Sequence, residues 1–295
     1  MSHLLFDQAT SVAHAIELLN TPGLRAQPVA GGTDLVVAMR QRGPWFDRLV
    51  DISAIPELRE IVVRGDQIRL GACVTFARAA AHPQLRALTP MLAEACLSIG
   101  GPQIQNVGTV GGNVANAAAC ADTLPVLVAL DAQAHIAGAA GERVLPVSEL
   151  IIAPHHTALQ QGELLTAFSF AAPPAGARSI FIKVGRRNAQ AISRLSVAAI
   201  GHVDAAGLVD HVRLAVGAAL PRPQRLTAVE ALVHGQRPAP GLYALAGAQA
   251  VAVMLDITGR RWSTEYKEVA LSQLAPYALA RVLEDAPLPT RFDTP

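Results

Sequence analysis

Two short segments of this chain set bare glycines beside a hydroxyl and a small polar side chain: AGGTD at 30–34 and GTVGGN at 108–113. Glycines so close together free the backbone to turn and leave its N–H groups uncovered, at a cost in conformational entropy. The chemistry open to such a turn is anion binding. Successive N–H groups form a concave nest, and a helix that starts next adds its dipole to the attraction. Gly31, Gly32, Thr33 and Asp34 precede LVVAM, so a hydroxyl and a carboxylate stand ahead of a possible helix. Thr109, Gly111, Gly112 and Asn113 offer the same pattern with a side-chain amide. Each segment also reads as a plain connection.

Gln103, Gln105, Asn106, Asn113 and Asn116 crowd the second segment, inside a run without charge from 95 to 121. A buried amide left without a partner costs about 1–3 kcal/mol, so a neutral ligand rich in hydroxyls and ring nitrogens is the expected complement. The run is long enough to span a bilayer. Its glycines, its proline and its amides argue instead for a buried, ligand-lining segment. The chain has no GxGxxG and no GxxxxGK[ST], which removes the usual dinucleotide and P-loop fingerprints. HExxH, GxSxG and paired cysteines are also missing from the sequence. Their absence gives no sign of a side-chain nucleophile or a metal ligand set.

The elements that must hold these segments can be read from periodicity and punctuation. A helix is expected at 12–19 behind Thr10 or Ser11, then a strand at 28–30, a helical turn at 35–39 and a strand at 49–52. A hairpin is expected over 61–70, with helices at 75–81, 90–99 and 123–130, a second hairpin at 134–145 and a strand at 163–170. Pro173-Pro174-Ala175-Gly176 is the best linker. Beyond it strands at 180–184, 195–202 and 208–215 precede helices at 227–233, 242–255 and 264–281. A mixed α/β first part thus leads into a compact α+β second part.

The totals agree. The chain has 295 residues, enough for two domains, with 51% apolar and 16% charged residues, which excludes disorder. A net charge of +1 argues against a broad nucleic-acid surface. Cys73, Cys96 and Cys120 lie far apart, against a zinc ribbon or an iron–sulfur cluster held by this chain, and in keeping with a reducing compartment. MSHLLFDQATSVAHAI shows no basic stretch ahead of an apolar one, so no signal peptide is expected. A cytoplasmic location follows.

AGGTDL at 30–35, GPQIQNVGTVGGNVANA at 101–117 with Asp122 after it, FIKVGRR at 181–187 and STEYKEVAL at 263–271 together resemble the FAD-binding medium subunit of the molybdenum hydroxylases. That family includes the xanthine dehydrogenase and carbon monoxide dehydrogenase types. The motifs keep their order over nearly the whole chain. The resemblance implies an α+β fold: a vanillyl-alcohol-oxidase-type (PCMH-type) FAD-binding domain at 1–175, of two subdomains at about 1–55 and 56–175. A small α+β C-terminal domain would follow at 178–285, a three-stranded sheet plus helices.

It also implies the site. Ala30, Gly31, Gly32, Thr33 and Asp34 would wrap the FAD diphosphate. Thr109, Gly111, Gly112 and Asn113 would line the diphosphate and the ribityl side. Asp122 would accept from ligand hydroxyls or ring N–H, and Lys183 would reach the cofactor from the strand after the linker. The partners implied are a small subunit with [2Fe–2S] clusters and a large molybdopterin subunit. Electrons would pass from the clusters to FAD here and on to an acceptor such as NAD+, oxygen or a quinone. A stand-alone FAD oxidoreductase of the same fold, or a flavin-free assembly subunit, are the alternatives. The sequence departs from the family at Gln105, where arginine is usual, and at Ala118-Ala119-Cys120, where Ser-Pro often stands. It lacks the cysteine-rich insertion that carries an extra cluster in some members.

Bland readings stand beside these. Asp34 and Asp122 each read also as helix caps, and Lys183 as a lysine snorkelling from its strand. Arg186 and Arg187 read as a solvated pair, His155 and His156 as surface residues, and Cys120 as small filler. Trp262 and Tyr266 read as packing or subunit contact.

Overall fold

The computed structural model describes residues 4–284, so the expected outer domain limits, 1 and 285, lie outside the described residues. Strand β1 (Leu5–Gln8), helix α1 (Val12–Leu19), β2 (Ala26–Val29), helix α2 (Leu35–Arg42) and β3 (Arg48–Asp51) make a parallel sheet of order β1-β3-β2. Ser11 caps α1 by accepting from the His14 N–H at 3.1 Å. The helix then buries Ala15 and Leu19 with Val50, Ile55 and Leu58 in a small core. Leu58 lies in a 3-10 turn at Pro56–Arg59.

A second unit begins with the hairpin β4 (Ile61–Arg64) and β5 (Gln67–Gly71), followed by six helices. These are α3 (Phe76–Ala81), α4 (Pro83–Leu88), α5 (Pro90–Ser98), α6 (Pro102–Val107), α7 (Val110–Asn116) and α8 (Thr123–Ala129). The chain then forms β6 (Gln133–Gly138), β7 (Gly141–Pro146), α9 (Val147–Leu150), the small pair β8 (Ile151–Ala153) and β9 (His156–Thr157), and β10 (Leu164–Ala171). The sheet order is β4-β5-β10-β6-β7, antiparallel throughout. Period-2 alternation turns Ile68 and Leu70 of β5 and Phe168 and Phe170 of β10 into one core.

Here the structure corrects the sequence reading. The segment 102–116, read as glycine-rich loop, is two short helices. Pro102 stands at the first position of α6, where its missing N–H is harmless. Thr109 caps α7, accepting from Gly112 N–H at 3.0 Å. Helix α4 was not expected at all; its start is Pro83, again at the first position.

Past the linker, β11 (Arg178–Val184), β12 (Leu195–Val203), β13 (Val209–Gly217) and the two-residue β14 (Gln224–Arg225) form an antiparallel sheet in that order. The expected three strands are there, with β14 as a short added edge. Helices α10 (Thr227–Val233), α11 (Pro240–Thr258) and α12 (Thr264–Leu283) follow. Residues 195–201 of β12 are buried on both sides of the sheet, which explains the non-alternating LSVAAIG. One face packs Val197, Ala199 and Leu214 against α11 and α12. The other sends Phe181, Ala198, Ile200 and Ala215 into the core of the second unit. Among the described residues α11 is the one helix long and apolar enough to cross a membrane. It buries Tyr243, Ala246, Gly247, Ala250 and Met254, as the core helix of this last part.

Candidate functional site

A cleft of about 730 Å³ runs between the end of β2, the N-terminal turns of α7 and α8, and the segment after β11. Its wall contains all eleven expected site residues: Ala30, Gly31, Gly32, Thr33, Asp34, Thr109, Gly111, Gly112, Asn113, Asp122 and Lys183.

The first glycine segment is an open donor array. Among the described residues no protein acceptor receives the backbone N–H of Gly31, Gly32, Thr33, Asp34 or Leu35; the first bond of α2 runs from Val36 N to Gly32 O at 2.9 Å. Gly32 holds φ +67°, a conformation for which glycine is the default. Gly31 is required for another reason. A Cβ there would lie 2.0 Å from Val107 O, so this backbone presses against the end of α6. Asp34 stands at the cap position of α2, but its side chain makes no cap bond.

The second segment differs. Val110 N donates to Val74 O at 3.0 Å, Gly111 N to Ala72 O at 2.9 Å, and Asn113 N to Thr109 O at 3.0 Å. With Gly112 N on the Thr109 hydroxyl, these N–H groups are already used and form no nest. Gly111 is glycine because α7 sits on the chain leaving β5: a Cβ would meet Ala72 O at 2.5 Å. What this segment offers the cleft is the exposed backbone at Gly112 and the Asn113 amide. The Asn113 carbonyl accepts from Thr123 Oγ1 at 2.6 Å, and its NH2 has no protein acceptor among the described residues.

Asp122 is 4% exposed and makes no cap bond to α8. Its carboxylate accepts from Lys183 Nζ at 2.6 Å and from the Ser193 hydroxyl. Burial pushes its pKa up, and the hydrogen bonds from Lys183 and Ser193 offset only part of that rise. Lys183 also donates to Ser98 O at 2.9 Å. The ion pair therefore fastens β11 to the ends of α5 and α8, and both charges are largely withdrawn from water. Ser193 is the member of this cluster that the sequence reading missed. Nothing in its neighbourhood signals it, because only the fold brings 193 to 122.

Other residues sort themselves by position. His155 adopts φ +60° at the β8–β9 turn, and its Nδ1 lies 3.0 Å from Asn116 O. Since a carbonyl only accepts, Nδ1 carries the proton, and the ring stands at the cleft margin. His156 instead faces its own turn, with Nδ1 3.0 Å from Pro154 O. Cys120 lines the cleft, and burial pushes its thiol pKa up, which removes the thiolate a reactive cysteine needs. Gln105 ties down the end of α5, its amide donating to Leu97 O at 2.9 Å and Ile99 O at 3.1 Å. Arg187 braces its own loop through Ala189 O and Gln190 O. That loop separates the cleft from a neighbouring one of about 660 Å³, where Arg194 lies 4.3 Å over the Tyr266 ring.

A flavin dinucleotide combines two ring systems with a doubly charged diphosphate. The residues present fit it: a run of five unused N–H groups, a free amide donor, and a mostly apolar cleft within the ~300–1,000 Å³ usual for small-molecule sites.

Comparison with known proteins agrees with this. Residues 4–173 match the model of the FAD binding domain in molybdopterin dehydrogenase, and residues 180–282 that of the CO dehydrogenase flavoprotein C-terminal domain. The putative xanthine dehydrogenase FAD-binding subunit of Escherichia coli (strain K12) is 35% identical over 222 residues, 75% of each chain. The carbon monoxide dehydrogenase medium chain of Hydrogenophaga pseudoflava is 27% identical over 269 residues, 91% of this chain and 93% of that one. A solved structure of carbon monoxide dehydrogenase from H. pseudoflava, lacking the Mo-pyranopterin moiety, superposes with a TM-score of 0.88 at 27% identity. The match covers 95% of this chain and 97% of that one.

Proposed function

The chain belongs to the family of FAD-binding medium subunits of the molybdenum hydroxylases, and from that premise we propose that it is the flavin-carrying electron-transfer subunit of a heterotrimer. Its partners are a small subunit with [2Fe–2S] clusters and a large molybdopterin subunit, assembled in the cytoplasm. The external acceptor is NAD+, oxygen or a quinone. The observation that carries this reading is the run of unused N–H groups from Gly31 to Leu35 on the wall of the cleft.

FAD, held by these residues, would supply the redox chemistry that no side chain of this chain provides. The chain supplies binding and surroundings. The N–H groups of Gly31–Leu35 would hold the diphosphate, with the dipole of α2 behind them. Thr33 adds a hydroxyl, and Asn113 and the Gly112 backbone add polar contact from the opposite wall. Ala30 and Thr109 position these groups, and Gly111 lets α7 come close enough to present them. Lys183 and Asp122, neutralising one another, put a fixed dipole in the wall without leaving a bare charge. Val29, Ile99, Leu164 and Leu165 give the cleft its apolar, water-excluding sides. The domain division at 1–175 and 178–285 goes with this reading, the cleft drawing residues from both parts.

Absorbance of the purified chain tests it. A flavin spectrum, with FAD released on denaturation, is the expected result. Co-purification of iron–sulfur and molybdopterin subunits separates the subunit from a lone oxidoreductase. A chain that stays colourless with added FAD sinks the proposal.

A further inference from the structure

Helix α2 has no home in the protein. None of its eight residues is buried, and none belongs to any of the three apolar cores. The contrast with α1, of equal length in the same unit, is direct, since α1 buries Ala15 and Leu19. Val36 and Val37 are 39% and 50% exposed. The helix is bounded by two glycines at positive φ, Gly32 at +67° and Gly43 at +75°, conformations for which glycine is the default. Its first turn carries the unused N–H groups, and Leu35, Ala38 and Arg42 line the cleft. At the other end Arg42 lies 5.0 Å over the ring of Trp45, which also lines the cleft. A short helix with so little burial and so many unpaired groups opens at low free energy. What it lacks in protein partners the cleft's occupant can provide.

We infer that α2 is a lid that closes on the bound dinucleotide, and that Trp45, stacked under Arg42, is the positioning residue that clasps it. This rests on the FAD reading given above. Binding at the N–H groups of Gly31–Leu35 fixes the first turn; the Arg42–Trp45 stack fixes the last. The helix between then covers the ligand with Leu35 and Ala38. In the FAD-free chain the N–H groups of the first turn have no acceptor, and the helix frays from that end.

Trypsin reads this directly, because Arg40 and Arg42 of α2 are both exposed. The full-length chain is stripped of flavin, divided, and half is reloaded with FAD, with loading measured by absorbance. Cleavage after Arg40 and Arg42 is followed by mass spectrometry. Loading is expected to slow it about tenfold, while cleavage elsewhere changes little. Trp45→Leu should restore most of the lost rate in the loaded chain, and Trp45→Phe, which keeps a ring under Arg42, should not. Flavin uptake with unchanged cleavage overturns the lid and leaves the FAD reading standing. No uptake at all overturns both. Equal protection in Trp45→Leu and the parent chain overturns the clasp.

Discussion

The two glycine-rich segments look alike as strings and do opposite things in the fold. At 31–35 the backbone N–H groups have no protein acceptor, and the helix behind them is unburied. At 110–113 every N–H is spent on Val74, Ala72 or Thr109, and α7 is seated on the chain that follows β5. The first segment leaves its donors unused; the second spends them on close packing and turns only the Gly112 backbone and the Asn113 amide to the cleft. Glycine marks two demands that a sequence does not separate: a left-handed φ, as at Gly32, and the approach of another backbone, as at Gly31 and Gly111.

Substitutions can break this contrast. The largest effect is expected at Gly111. Gly111→Val drives a side chain into Ala72 O and should abolish folding, seen as loss of soluble protein. A soluble, cooperatively melting variant that has merely lost flavin would put the second segment in the same class as the first.

Asp122→Asn comes next. It leaves the Lys183 ammonium largely buried without its counter-ion and should cost about 3 kcal/mol of stability in denaturant titration of the FAD-free chain. FAD retention should fall with it.

A threonine pair sharpens the comparison. Thr109→Val removes the cap of α7 and should destabilise the FAD-free chain by about 1 kcal/mol. Thr33→Val removes a hydroxyl that caps nothing, so the FAD-free chain should change by under about 0.5 kcal/mol while FAD binds less tightly. Equal effects of the two on the FAD-free chain would erase the distinction.

A pH-dependent effect, smaller than that of Asp122→Asn, is expected at Glu163 on the cleft wall. Glu163 pairs with Arg143 through two bonds of 2.7 Å, and that pairing, ahead of its other influences, holds its carboxyl below the usual value of 4.5. A depressed carboxylate stabilises the fold above its unfolded pKa and loses that contribution as pH falls through the folded one. Glu163→Gln should therefore cost up to about 1 kcal/mol near neutral pH, an advantage of the parent chain that disappears as the pH drops below 4.5. Thermal melts of both proteins across that range measure it.

Much of this was legible in the residues. Thr10 or Ser11 before an apolar stripe gave α1, with Ser11 the actual cap, and the apolar runs within 61–70 gave the hairpin β4–β5, because caps and turns are local chemistry. The strand at 195–202 was legible from its apolar length. Helices α6 and α7 were not, since five glycines and several amides between 100 and 113 mask a helical period that tertiary contacts impose. The cleft's membership was legible through its motifs, but the spent N–H groups of α7 were not, because their acceptors on 72 and 74 lie some forty residues upstream. Ser193 was invisible for the same reason: it matters through Asp122, a neighbour that only folding supplies.

The sheet beyond the linker lends Phe181, Ala198, Ile200 and Ala215 to the interior of the part that precedes it. During synthesis, then, everything up to the linker emerges with one side of its interior bare. That side stays exposed until β13 has left the ribosome, about forty residues later, which at ~5–20 residues per second is several seconds of vulnerability to aggregation. Such a nascent chain is a natural client for a chaperone at this point.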